Sequence, residues 1–514
     1  MVRSQLVEDN ISIREKNDGN LKDGILIEST DDVFEQGNTW PAKLQRLARK
    51  FKIEQRGIER VPENERTDIN GVINVGTMWL AANMAVSSFA IGALATPVFF
   101  LGFVDSILAI LCFNILGILP VAFFSTFGPV FGLRQMVLSR FFFGYYGVKI
   151  IAVLNILTCI GWACVNTIVG AQLINAVNTN VPGFAGVLII AVATFIVSLF
   201  GYKVVHAYEF WSWIPSFIIF LIVLGEFAHS GKFSNLPMGV GSSEAGSVLS
   251  FAASIFAYGS GWASYSADYT CYQPVTISRT KVFFSTFCGL IFPLLFTQML
   301  GATVMTASIN TPEYAESYAT SGIGGLLAAV LFPPLGKFGQ FCLVILALST
   351  VANNCPNIYS VSLSTQVLAH QTARVPRFVW TLLATCCYIA IAIPGYSHFE
   401  SVLENFMLII AYWLAIYEAV SLTEHFVFKK GFGGYTPEIY NQPLRLPPGI
   451  AAIGAFCFGV FGAVMGMSQV WFIGPIGKHI GGVYGGDIGF ELAFAFAAIS
   501  YFLFRTLEYK HFKR

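Results

Sequence analysis

Runs of eighteen or more apolar residues recur from about residue 70 almost to the end of this 514-residue chain. Each run is long enough to cross a bilayer as an α-helix. The runs are continuous rather than alternating, which excludes a transmembrane β-barrel. Only 11% of residues are charged and 55% are hydrophobic, with mean hydropathy +0.65, whereas soluble domains are about one quarter charged. The expected class is an all-α integral membrane protein. A net charge of +1 gives no nucleic-acid signal.

The runs are read as twelve spans, near 74–100, 105–128, 145–177, 183–201, 209–229, 247–270, 281–306, 338–368, 377–394, 402–423, 447–468 and 488–506. Residues 1–69 form a polar tail holding nearly half of the charged side chains, partly disordered by composition. Within it, WPAKLQRLARKF (40–51) has helical apolar spacing with basic residues between. It reads either as an amphipathic helix on an anionic membrane face or as a solvated helix. Residues 70–423 would form a ten-helix core, with repeats near 70–229 and 247–423. Residues 424–506 would supply a loop and two further helices, and 507–514 a short tail. Arg134, Arg140, Lys203, Arg279, Lys281, Arg374, Arg377, Lys429, Lys430 and Arg445 fall in alternate loops, which predicts both termini in the cytoplasm. The stretch TPEYAESYATSG (311–322) then reads as an external acidic loop.

Ten cysteines lie mostly inside apolar runs and none forms a C-x-x-C pair, so they read as small buried hydrophobes. The seven histidines show no ligand spacing, and neither a cofactor nor a resident metal is expected. There is no nucleotide-binding loop and no H-E-x-x-H motif.

Two spans are interrupted. The first contains Ser87, Ser88, Gly92 and Pro97; the sixth contains Gly259, Ser260 and Gly261. Breaks at equivalent positions of two repeats point to a transporter with its site near the midplane, although glycines also serve helix packing. In the third span Trp162 and Asn166 are four residues apart, hence on one helical face. An indole beside a carboxamide suits a planar heteroaromatic ligand with hydrogen-bonding edges. The eighth span carries Ser349, Thr350, Asn353, Asn354, Pro356 and Asn357. Carboxamides at membrane depth must face one another or a cavity. Trp262, after the sixth-span break, would complete a sandwich of two indoles. Among the carboxylates, Glu209 is the chosen proton carrier because it lies beside this core. Asp268 and Glu491 read as headgroup-level groups in water, and Glu400 and Glu404 stay open. Ser349 and Thr350 are a weak sodium-type hydroxyl pair.

FGLRQMVLSR (131–140), GWASYSADYT (261–270), LALSTVANNCPN (346–357) and GGDIGFELA (485–493) resemble motifs of the fungal purine–cytosine permeases, members of nucleobase–cation symporter family one. The resemblance runs from about Gly57 to the C-terminus. It implies a five-plus-five inverted-repeat core with two additional C-terminal helices. It also implies proton-coupled uptake of cytosine, adenine, guanine and hypoxanthine across the plasma membrane. The family's binding positions fall on Ser88, Trp162, Asn166, Trp262, Asn353, Asn354, Pro356 and Asn357, and its coupling acid on Glu209. The partners implied are a nucleobase, a proton and the lipid bilayer, with no nucleic acid. A uracil, pyridoxine or thiamine carrier on the same scaffold, or a nucleobase sensor that does not transport, are the alternatives.

Overall fold

A computed structural model describes residues 56–200, 202–482 and 485–514; the side chains at 200, 202–207, 209, 401 and 402 lie outside that description. The expected amphipathic segment at 40–51 also lies outside it. Numbering helices of eight residues or more, the order is α1 (Gly71–Asn83), α2 (Val86–Ala93), α3 (Phe103–Ser125), α4 (Arg140–Val177), α5 (Gly183–Phe200), α6 (Tyr202–Ser230) and α7 (Gly241–Ser260). There follow α8 (Arg279–Met305), α9 (Pro312–Leu335), α10 (Lys337–Leu368), α11 (Arg377–Gly395), α12 (Phe399–Thr423), α13 (Ile450–Gly466) and α14 (Gly489–Phe512). A two-residue β-hairpin, Ser468–Gln469 with Phe472–Ile473, joins α13 to α14.

Nine helical stretches among the described residues are long and apolar enough to cross a membrane, or ten if the bent pair α1–α2 is one span. Helices α5 and α13 are shorter apolar helices. The expected sixth span is helical only to Ser260, after which the chain turns and forms a short 3-10 segment, Ser266–Tyr269. One expectation is corrected. Of residues 311–322, read as a loop, all but Thr311 belong to α9, which starts at Pro312 and is broken at Ser321–Gly322. Pro at the first helical position and Glu313 in the first turn favour that start. Gly322 has φ +56°, and a Cβ there would meet the Gln172 amide at 2.6 Å, so glycine allows the break to sit against α4.

The most extensive helix pairing is α4 with α10, the two runs that carry the candidate polar residues. Helices α2 and α8 approach through reciprocal glycines. A Cβ on Gly92 would overlap the Gln298 backbone, and one on Gly301 would overlap the Phe89 carbonyl. Such contact lets backbones touch where lipid supplies no hydrophobic drive for association. Outward side chains such as Leu157, Val192, Phe284 and Leu503 are more than half exposed, as expected of a surface solvated by acyl chains.

Candidate functional site

The first break falls at Met84–Ala85, where φ/ψ leave the helical region, and α1 and α2 bend by 52°. It therefore precedes Ser87, Ser88, Gly92 and Pro97 rather than resting on them. Breaking a helix in hydrocarbon frees carbonyls that must find donors. Two side chains supply them: Asn353 Nδ2 donates to the Ala82 carbonyl, and Ser88 Oγ donates to the Asn83 carbonyl at 2.7 Å. After the break, the Val86 N–H donates to Ser349 Oγ at 3.2 Å.

The amides from α4 and α10 meet at this break. Asn166 Nδ2 donates to Asn353 Oδ1 at 2.8 Å, and Ser87 Oγ donates to Asn166 Oδ1. Tyr258 at the end of α7 joins Ser88 at 2.7 Å and receives Asn353 Nδ2 at 3.3 Å. Since Ser88 gives its proton to Asn83, Tyr258 is the donor in that pair. Asn357 Nδ2 donates to the Asn353 carbonyl at 2.9 Å, and its Oδ1 accepts from Tyr265 OH at 2.8 Å. Side chains from α2, α4, α7 and α10 thus form one continuous buried network. In low dielectric such a network is costly to leave partly paired, which ties the two broken segments to the α4–α10 pair.

A cleft lies beside the network, lined by Trp162, Tyr258, Gly261, Trp262, Asn353 and Asn357, with Tyr265. It has about 10 Å³ of open room, enough for roughly one water; ligand sites typically offer about 300–1,000 Å³. A flat ring can enter only if the lining elements part. Trp162 is set edge-on to Tyr258 and Phe406, at 4.9 and 5.6 Å between ring centroids. Trp262 is set edge-on to Trp79 and Tyr265, at 5.1 and 5.7 Å. Each indole is thus braced by other rings. Trp262 Nε1 is buried at the cleft with no hydrogen-bond partner among the described residues, a donor available to an incoming acceptor.

Of the expected site residues, Trp162, Trp262, Asn353 and Asn357 line the cleft, while Ser88 and Asn166 stand behind it in the network. Asn354 turns the other way, its Nδ2 donating to Thr194 Oγ1 on α5 at 3.4 Å. Pro356 sits within an unbroken α10 and offers its carbonyl to Tyr269 OH at 3.4 Å. Ser349 and Thr350 donate to the Leu346 and Ala347 carbonyls at 2.6 and 2.7 Å, so both hydroxyls are used by their own helix. Glu209 lies on α6, but its side chain is outside the described residues.

Tyr258 and Tyr265 were not singled out in the sequence, whereas Gly261 belongs to the expected sixth-span break. Tyr258 stands four residues before Trp262, a spacing that would have drawn attention to it. Asp268 is also corrected: it is buried, not at headgroup level in water, and its carboxylate accepts the Gln135 N–H at 2.7 Å while Arg134 Nη1 donates to its carbonyl at 2.7 Å. Asn155 makes a second polar clasp. Its Nδ2 donates to Ser360 and Ser364 at 3.0 and 2.8 Å, and its Oδ1 accepts from Ser264 at 2.6 Å. The unwound part of the sixth segment is thereby held against α4 and α10.

Comparisons with known proteins agree with this architecture. Residues 60–479 match the family model described as a permease for cytosine/purines, uracil, thiamine and allantoin. The chain is 60% identical to the purine-cytosine permease fcyB of Emericella nidulans, over 99% of this chain and 98% of that protein. It is 46% identical to the purine-cytosine permease FCY2 of Saccharomyces cerevisiae, over 90% and 87%. Among solved structures, Mhp1, a nucleobase-cation-symport-1 family transporter in a closed conformation with bromovinylhydantoin bound, superposes with TM-score 0.65 at 13% identity, covering 88% of this chain and 96% of that one. At that identity the match speaks for the fold. The chain therefore belongs to the fungal purine–cytosine permeases of nucleobase–cation symporter family one, which are multi-pass membrane transporters and not enzymes.

Proposed function

We propose that this chain takes up cytosine and the purines adenine, guanine and hypoxanthine with protons, by alternating access across the plasma membrane. The observation that carries this reading is the cleft between Trp162 and Trp262, floored by Asn353 and Asn357. Indole faces stack on any nucleobase, and amides read a ring edge that carries both donors and acceptors. Asn166, Ser88 and Tyr258 set the orientation of Asn353; Asn354 and Pro356 shape α10 from behind. Purine–cytosine permeases at 60% and 46% identity support the substrate class.

The reading includes twelve spans, ten of them in two inverted repeats at about 70–229 and 247–423, with both termini cytoplasmic. The broken segments α1–α2 and α7 would rock against the α4–α10 pair, opening the cleft to one side and then the other. Glu209 is the proposed proton carrier, and Ser349 and Thr350 keep structural roles at the first break.

The test is uptake of radiolabelled cytosine in cells lacking their own carriers, with purines, uracil, pyridoxine and thiamine as competitors, with and without a protonophore. The expected result is uptake competed by adenine, guanine and hypoxanthine and collapsed by the protonophore. Competition by pyridoxine or thiamine alone would assign another substrate, and binding without uptake would indicate a sensor. Glu209→Gln is expected to remove the dependence of uptake on external pH while leaving cytosine binding in place; an unchanged pH profile would move the proton site elsewhere.

Tyr258→Phe is expected to weaken cytosine affinity several-fold. It removes the hydroxyl shared by Ser88 and Asn353, a loss of about 0.5–1.5 kcal/mol per hydrogen bond. An inhibition constant equal to that of the unaltered chain would show that the bridge plays no part in positioning Asn353.

A further inference from the structure

A second cavity, larger than the cleft, opens between α3, α7, α8, α12 and α14, with a volume of about 540 Å³. That lies within the range of ligand sites. Its rim includes the exposed side chains Leu116 and Leu119 of α3, so its mouth faces the acyl chains rather than water. Its wall is almost wholly apolar, with Phe256 of α7 stacked on Phe490 of α14 at 4.2 Å. Two carboxyl side chains interrupt that wall, Glu418 and Glu491.

Glu418 is only 2% exposed. Its Oε1, and Oε2 of Glu491, are shielded from solvent and have no hydrogen-bond partner among the described residues. Buried carboxylates are ordinarily paired with a cation or with hydrogen-bond donors, and inside a membrane they mark a functional site. Among the described residues, no lysine, arginine or histidine lines the cavity. Carboxyl groups placed so are neutralised either by a proton or by a cation, and the mouth admits what dissolves in the bilayer.

We propose that this groove binds a membrane-dissolved amphiphile with an apolar body and a single primary ammonium head. The apolar body fills the phenylalanine-lined space. The ammonium donates to Glu418 and Glu491, supplying the counter-charge that no described residue places there, and it also lies near aromatic faces that attract cations. An alcohol head offers one donor and no charge, so it leaves the pair of carboxyl groups only partly matched. The groove is separate from the nucleobase cleft but shares α7 with it: Phe256 faces the groove and Tyr258 the cleft. An occupant wedged between α7 and α14 would therefore bear on a segment that must move if the cleft is to open.

The experiment uses the purified full chain in phosphatidylcholine nanodiscs, with a diazirine-bearing long-chain primary amine and the corresponding alcohol as probes. The amine is expected to label peptides from α3 and from the start of α14, and to do so far more than the alcohol. The double variant Glu418→Gln/Glu491→Gln is expected to lower that labelling about tenfold, since a hydrogen bond to a charged group is lost. Leu119→Trp, which narrows the mouth and leaves both carboxyl groups intact, is expected to lower it as well. Equal labelling by amine and alcohol would overturn the proposal, as would unchanged labelling in the double variant. Thermal unfolding reports whether the double variant is folded; if it is not, undiminished labelling of Leu119→Trp overturns the proposal by itself. Neither readout requires transport, so failure here is distinguishable from failure of the nucleobase reading.

Discussion

Trp162→Ala is expected to abolish high-affinity cytosine uptake while the protein still reaches the cell surface. Trp162 is 5% exposed, lies on α4 along one wall of the cleft and is held edge-on by Tyr258 and Phe406. Alanine removes the whole stacking face, worth about 1–3 kcal/mol per base by alanine substitution at nucleic-acid sites. That is a loss of roughly five- to 150-fold in affinity. The truncation also opens a cavity, costing stability on the order of 3–5 kcal/mol, so uptake must be normalised to surface protein. Trp162→Phe separates the two effects, because it keeps an aromatic face and most of the packing. The expected order of cytosine affinity is the unaltered chain, then phenylalanine, then alanine. Equal affinity in all three would remove Trp162 from the site.

Arg505→Met is expected to produce a large loss of stability. Arg505, on α14, pairs with Glu424 just beyond α12, with Nε to Oε2 and Nη2 to Oε1 both at 3.1 Å. It also donates to Glu508 at 2.8 Å, and Tyr501 OH donates to Glu424 Oε2 at 3.0 Å. Arg505 is 1% exposed and Glu424 is fully buried. Removing one member strands a charge in low dielectric, which typically costs about 3–5 kcal/mol. Removing both with apolar residues of similar size is often neutral. Arg505→Met should therefore lower the unfolding temperature and the amount of protein at the surface, and Arg505→Met/Glu424→Leu should recover part of both, Glu508 still lacking its arginine. The measurement is thermal unfolding of the purified chain, followed by tryptophan fluorescence. A single variant as stable as the parent would show that the clasp between α12 and α14 carries no net stability.

Much of this molecule is legible along the chain because lipid imposes a one-dimensional rule. Every spanning helix must pair its own backbone and present apolar side chains over about 20 residues. That rule accounts for α3, α4 and α10 and for the runs between them. It fails at α9, where acidic residues near Pro312 suggest a loop, yet capping and a glycine break allow a helix to lie against α4. It also misplaces the first break. The polar residues at 87 and 88 look like its cause, whereas the backbone departs at Met84–Ala85; Ser88 satisfies a carbonyl that the departure exposes, and Ser87 donates to the Asn166 side chain.

The candidate site divides along the same line. Helical spacing alone places Trp162 with Asn166 and Asn353 with Asn357, since a face is a local property of the helix. The sequence by itself also determined that such polar groups need partners at membrane depth. Only the tertiary structure decided which partners they have. Asn354 turns to Thr194, Asn166 meets Asn353 across two helices, and Tyr258 closes the link to Ser88. Those pairings join residues between 160 and 187 positions apart. Periodicity says which side of a helix a residue occupies but not which other helix lies there; that is settled by packing among helices, through close approaches such as Gly92 with Gln298 and Gly301 with Phe89.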